Sequence, residues 1–283
     1  MAKHPYVVAD VFTEVPLEGN AVAVFTDARG LSADTMPRLA RELNLSETVF
    51  VLPAADAAQA DADIRIFTPA VELPFAGHPV LGTAFVLGER SGADTVRLKT
   101  GSGVVEVSLT RRDGRIVHGE MRQPLPTWEA FPRAAELLTA LRVQRSQLPV
   151  EIYDTGPRFA HVQLPDEAAV AALAPDLSTL SSLGRLGANC FAVADGHVKM
   201  RMFGPGLGVA EDPATGSAAG QLAVHLARHG VVAFGDQVEI RQGAEIGRPS
   251  VLYARAEGST ERLETVSVGG AAVVVAGGEF RLD

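Results

Sequence analysis

One kind of segment occurs twice in this chain, and that duplication narrows the possible folds more than any other feature. The first copy, Phe67 to Ala84, reads FTPAVELPFAGHPVLGTA; the second, Phe203 to Ala219, reads FGPGLGVAEDPATGSAA. Each runs from an apolar stretch through a Gly/Pro-rich turn, sets a polar residue before a proline and enters a helical pattern. The shared core is (His/Asp)-Pro-x-x-Gly-(Thr/Ser)-Ala, with His78, Pro79, Gly82, Thr83 and Ala84 matching Asp212, Pro213, Gly216, Ser217 and Ala218. Proline suits the first helical position, where its missing N–H costs nothing. The free N–H groups of a helix start, together with the helix dipole, attract an anion. Two such starts, each fronted by a titratable side chain, predict a pseudo-symmetric cleft for a small carboxylate with acid/base groups inside it.

The surrounding elements repeat as well. Short strands are expected over 7–12 and 20–26, a helix capped by Ser32 and running to about Leu43, and strands over 47–52 and 64–67. The first motif then opens a helix over 80–89, and period-two strands follow over 95–99, 103–109 and 116–122. A proline-rich break at Pro124, Pro126 and Pro132 marks the domain boundary. Beyond it, Gly156 to Val162 stands where Gly19 to Val24 stood, and Asn189 to Val193 stands where Glu47 to Val51 stood. The second motif opens a helix over 213–229, stopped by Gly230. The chain is therefore expected to be α+β, with two similar domains related by a pseudo-twofold axis, 1–124 and 125–283. Each wraps strands around a central helix, and the last strand has the option of pairing back with the first domain.

Composition supports two globular cores: 283 residues, 47% hydrophobic and 21% charged. A net charge of −9 and the lack of a basic run argue against nucleic acid as a partner. No signal peptide and no apolar run long enough to span a membrane is evident, so a cytoplasmic protein is expected. The single cysteine, Cys190, excludes an internal disulfide and lies in an apolar strand, where a buried inert thiol is expected. His225 and His229 stand one helical turn apart, a spacing that can hold a metal, but no third ligand is near them in sequence, so no metal is expected. The glycines at 204, 206 and 208 fit neither the dinucleotide fingerprint nor the P-loop. Ser46 and Ser217 lack a nucleophile elbow, which argues against hydrolase chemistry.

Five stretches together carry a resemblance: EGNAVAVF (18–25), LNLSETVFV (43–51), TPAVELPFAGHPVLGTA (68–84), GPRFAHVQL (156–164) and MFGPGLGVAEDPATGSAAG (202–220). In this order and spacing the chain resembles the PhzF-like phenazine biosynthesis family, which has the diaminopimelate epimerase fold. The resemblance implies a biosynthetic isomerase, a homodimer, with Glu47 of the SET-type motif as general acid/base. It places the family's histidine on His78, its aspartate on Asp212 and its serine on Ser217. It implies substrate contacts from Asn20, Ser46, Gly77, Thr83 and Gly216 in the same motifs. Epimerases and racemases of this fold carry two cysteines near the places of His78 and Asp212, and this sequence has neither, which argues for carboxylate-driven proton transfer. Val80 departs from the family's common threonine.

Each residue also has a plainer use. Glu47 opens an apolar strand, so it is either a solvated strand end or a partly desolvated acid/base. His78 fits a helix N-cap, where the dipole favours its neutral form, as a turn-bonding or a proton-relaying group. Asp212 is a good N-cap in its own right. Gly82 with Thr83, and Gly216 with Ser217, allow either close helix packing or the approach of N–H groups to a carboxylate. The reading that follows is a metal- and coenzyme-independent isomerase acting on a small carboxylate between the domains. The alternatives are an epimerase or racemase of an amino-acid-like substrate, with His78 or Asp212 as second proton-transfer group, and a non-catalytic small-molecule-binding protein.

Overall fold

Twice the chain lays the same succession of strands around a helix of small residues. The computed structural model describes residues 2–282. They fall into two units, 2–122 with 269–282, and Gln123–Val268.

In the first unit, the strand Ala2–Val11 lies between two antiparallel neighbours, Asn20–Phe25 and the last strand, Ala272–Leu282. Asn20–Phe25 runs parallel to Glu47–Pro53, and parallel neighbours need a crossover, which the helix Thr35–Leu43 supplies. Glu47–Pro53 is antiparallel to Ala62–Phe67, which runs parallel to Thr95–Thr100. The crossover here is the helix Gly77–Ser91. Gly103–Arg112 and Arg115–Arg122 continue the sheet antiparallel.

The two helices are buried differently because their sequences differ. Thr35–Leu43 hides Met36, Leu39 and Ala40, a stripe at helical spacing, and turns charged residues outward. Gly77–Ser91 buries eleven of its fifteen residues, apolar ones on every side, which is the pattern of a helix enclosed by sheet. Full burial of Leu81 and Phe85 contributes roughly 1.5–3 kcal/mol each. Enclosure this close demands glycine at position 82, where a Cβ would stand 2.7 Å from Val22 Cγ1 and 2.8 Å from Val11 Cγ2. Gly82 is thus a packing residue against the strands.

The second unit repeats the scheme. Thr127–Ala130, Glu151–Asp154 and Arg158–Gln163 pair antiparallel in turn. Arg158–Gln163 runs parallel to Gly187–Ala194, which is antiparallel to His197–Gly204. His197–Gly204 runs parallel to Gln237–Gln242, which pairs antiparallel with Ser250–Gly258. The enclosed helix is Gly216–Arg228, with twelve of thirteen residues buried. Gly230 follows it in the left-handed region at φ 69°.

The two helix starts are less alike than the motifs imply. The first helix begins at Gly77, capped by Ala76, so His78 and Pro79 lie inside its first turn and His78 is not the cap. Pro79 still costs no hydrogen bond, since the first turn's N–H groups have no intrahelical partner. The second helix begins only at Gly216, capped by Thr215, so Asp212 and Pro213 lie in the approach and Asp212 is not the cap. Gly82 sits more than a turn inside its helix, while its counterpart Gly216 opens the other. Among the described residues no helix is long and apolar enough to cross a membrane.

Candidate active site

Parallel pairing sets the first part of the site. Register matches Glu47 with Val22, which brings the start of the Glu47–Pro53 strand beside Asn20 and Ala21. The preceding helix ends at Asn44 in the left-handed conformation, φ 51°, and the chain then turns through Ser46 into the strand. Ser46 Oγ donates to Asn20 Oδ1 at 2.7 Å, tying the two strand starts together. His78, in the first turn of the enclosed helix, reaches the same place. Its Nε2 lies 3.3 Å from Glu47 Oε2, with side-chain exposures of 5% and 13%. Three segments far apart in sequence therefore converge on one carboxyl–imidazole pair.

Burial decides the state of the imidazole. Removal from water disfavours the charged ring and takes His78 from its ordinary 6.5 down to about 3, against an opposing hydrogen bond to the Ala21 backbone. His78 is neutral at physiological pH. The contact with Glu47 is thus between a carboxyl group and a neutral ring rather than a fixed ion pair. Gly77 and Thr83 belong to the same helix. Thr83 is fully buried and its hydroxyl donates to the Pro79 carbonyl at 2.7 Å.

The second unit prepares Asp212 by other means. Arg201 grips both oxygens of the adjacent Glu211 at 2.8 Å and donates to the carbonyls of Ala171 and Leu173 at 3.0 and 2.9 Å. Glu211 and Asp212 point to opposite faces of their strand, so this grip fixes the strand while leaving Asp212 to the other side. Asp212 is 6% exposed, and its Oδ2 accepts from Thr215 Oγ1 at 2.6 Å. Gly216 and Ser217 are buried in the helix start that follows, with the Gly216 carbonyl accepting from Gln123 Nε2 at 2.9 Å.

His225 and His229 do have an acidic neighbour, which the sequence concealed. Glu151 Oε2 stands 3.2 Å from His225 Nδ1 and 3.2 Å from His229 Nε2. The three groups have the composition of a metal site. The same carboxylate oxygen, however, already receives Arg228 Nη1 at 2.7 Å, and that guanidinium lies 4.2 Å from the Trp128 ring centroid. That oxygen is thus already paired with a cation, with which a metal ion would have to compete. Cys190 is fully buried, and its thiol is pushed up to about 12 by that burial.

Fold and site together define a class: an α+β protein of two similar units, carrying a carboxyl–imidazole pair withdrawn from water in the first. The profile of the phenazine biosynthesis-like protein family, PhzC-PhzF, matches residues 9–278. A trans-2,3-dihydro-3-hydroxyanthranilate isomerase from Pseudomonas aeruginosa is 54% identical over 280 residues, 99% of this chain and all of that one. A PhzF-family phenazine biosynthesis protein from Bacillus anthracis superposes with a TM-score of 0.85 over the whole of both chains, at 24% identity. A hydroxyproline epimerase from Agrobacterium vitis shares the fold, with a TM-score of 0.66 and 16% identity, covering 99% of this chain and 91% of that one. The chain belongs to the phenazine biosynthesis-like family, and it is an isomerase of the PhzF type.

Proposed function

We propose that this isomerase moves a proton within a small cyclic carboxylate, with Glu47 as the group that removes and returns it. The observation that carries the reading is the 3.3 Å approach of Glu47 Oε2 to a neutral, buried His78. Glu47 takes a proton from a ring carbon, breaking a C–H bond and forming an O–H bond. The electrons delocalise into the conjugated substrate. Glu47 then returns the proton to a different carbon, so the molecule leaves rearranged and the enzyme unchanged. His78 supports the interval between the two steps. With its N–H spent on the Ala21 backbone, Nε2 offers a lone pair, and the protonated Glu47 can donate to it. Exclusion of water keeps the proton from exchanging. No metal or coenzyme enters this scheme.

The substrate we propose is trans-2,3-dihydro-3-hydroxyanthranilate, the compound in the name of the 54% identical relative. Its carboxylate would be held by helix-start N–H groups, at Gly77 in the first unit and at Gly216 and Ser217 in the second, with Asn20 and Ser46 beside Glu47. Asp212 enters as the second polar group on the pseudo-symmetry of the motifs. A cytoplasmic homodimer is part of the proposal, and light scattering of the purified chain tests the stoichiometry.

Register gives the second unit no counterpart of Glu47. In the first unit Val22 faces Glu47; in the second, the corresponding pair is Phe159 and Gly187. The place matching Glu47 is thus Gly187, two residues before the Asn189 that the order of motifs suggests, and a Cβ there would stand 2.7 Å from Phe159 Cε1 and 2.8 Å from Met202 Sδ. The second unit has no room for a carboxylate where the first carries one.

The test is Glu47→Gln, assayed on this substrate by NMR. Glutamine keeps the size but cannot cycle a proton, so kcat should fall by about 10²–10⁴ with thermal stability preserved. Turnover near the unsubstituted rate would remove Glu47 from the mechanism. In deuterated solvent, a one-base shift retains substrate hydrogen in the product, whereas racemisation exchanges it.

A further inference from the structure

Gln242 lies thirty residues beyond Asp212 and touches the turn of the second motif at three points. Its Oε1 accepts from the Thr215 backbone N–H at 2.9 Å. Its Nε2 donates to the Asp212 carbonyl at 2.7 Å and to Thr215 Oγ1 at 3.0 Å. The backbone N–H can only donate and the carbonyl only accept, so the orientation of the amide is fixed from both sides. Because Nε2 is a donor, the Thr215 hydroxyl must receive it on a lone pair and point its own hydrogen elsewhere. That hydrogen goes to Asp212 Oδ2, 2.6 Å away. Gln242, Thr215 and Asp212 are all at least nine-tenths buried, with exposures of 2%, 6% and 6%. Water therefore competes little for these bonds.

The first unit shows what this arrangement adds. There the corresponding strand end is Thr100, since Ala62 pairs with Leu98 as Val198 pairs with Ile240. The glycine after each strand end seats the motif turn by shape: a Cβ on Gly101 would lie 2.9 Å from Pro74 Cα, and one on Gly243 would lie 2.6 Å from the Pro213 carbonyl. Thr100, however, spends its hydroxyl on the Gly103 carbonyl at 2.9 Å, within its own turn. The steric seat is common to both units, while among the described residues the directed chain of donors belongs to the second and ends on a carboxylate oxygen.

We infer that Gln242 is a positioning residue, which through Thr215 holds Asp212 in one rotamer with Oδ2 as an obligate acceptor. This rests on the proposed role of Asp212 in the reaction.

The experiment is a set of variants assayed for kcat and KM on trans-2,3-dihydro-3-hydroxyanthranilate, with folding checked by thermal melting. Gln242→Met keeps the shape and removes the donor. It should lower kcat about tenfold or more and leave KM nearly unchanged. Thr215→Val, which keeps the backbone N–H, should show the same loss, and Thr215→Ser should restore the rate. Should Gln242→Met fail to fold, the two Thr215 variants carry the test. In an Asp212→Asn background, Gln242→Met should cost nothing more. An unchanged kcat in both Gln242→Met and Thr215→Val, or a loss of equal size with and without Asp212, overturns the inference. Full turnover by Asp212→Asn alone overturns instead the role of Asp212 on which it rests.

Discussion

Neutrality of His78 predicts a specific acid sensitivity. The ring titrates near 3 in the folded protein and at its ordinary 6.5 when unfolded. Between these values the unfolded chain binds the extra proton, so stability rises with pH. The contribution is complete above about pH 6.5 and is lost as pH falls toward 3. Each pH unit in the window is worth about 1.4 kcal/mol. Between pH 7 and pH 5, the loss through this one ring is about 2 kcal/mol. Replacement by glutamine removes the titration while keeping an amide near Glu47. Urea unfolding of both proteins at pH 7 and pH 5 provides the assay. His161 and His225, also buried and also lowered, contribute equally to both proteins and cancel in the comparison. The unsubstituted protein should lose about 2 kcal/mol more than His78→Gln over this interval. Equal losses would show that His78 titrates in the folded protein as it does in the unfolded chain, and the neutral-ring account of the Glu47 contact would fail.

Two further outcomes separate packing from chemistry. Gly82→Ala should destabilise by about 1–3 kcal/mol in urea unfolding, because its Cβ meets Val22 and Val11 in the core. A binding defect with unchanged stability would instead restore Gly82 as an anion contact. Activity should survive exhaustive chelation and also Cys190→Ala, since the thiol is buried and the Glu151 cluster already holds a guanidinium. Loss on chelation, reversed by added metal, would overturn the metal-independent scheme.

Local chemistry was readable from the chain; long-range register was not. Both enclosed helices follow from apolar residues on all sides, and Thr35–Leu43 from its spaced Met36, Leu39 and Ala40. Their starts differ from the motif pattern, since proline at position 79 is as harmless in the middle of a first turn as at its beginning, and Pro213 lies ahead of the second helix altogether. The N-terminal strand was expected from Val7 but begins at Ala2, since Lys3, His4 and Pro5 look unlike a strand until Glu279 to Arg281 pair with them. Glu47 and His78 were singled out by motif, and their 3.3 Å approach depends on which strands lie parallel. Glu151 reaches His225 across 74 residues and Gln242 reaches Asp212 across 30, distances at which a sequence carries no periodic signal.

The pairing of Ala2–Val11 with Ala272–Leu282 sets a timetable for synthesis. The first strand emerges from the ribosome at once, yet one of its two neighbours is translated only after the whole of the second unit. At about 5–20 residues per second, that edge waits on the order of tens of seconds. Meanwhile Phe25, whose final neighbours include the Phe280 ring at 5.7 Å, lacks part of its cover. The nascent first unit is therefore a half-finished sheet with an open edge and an uncapped aromatic cluster. Any pause in translating the second unit lengthens its exposure to chaperones, proteases and other nascent chains.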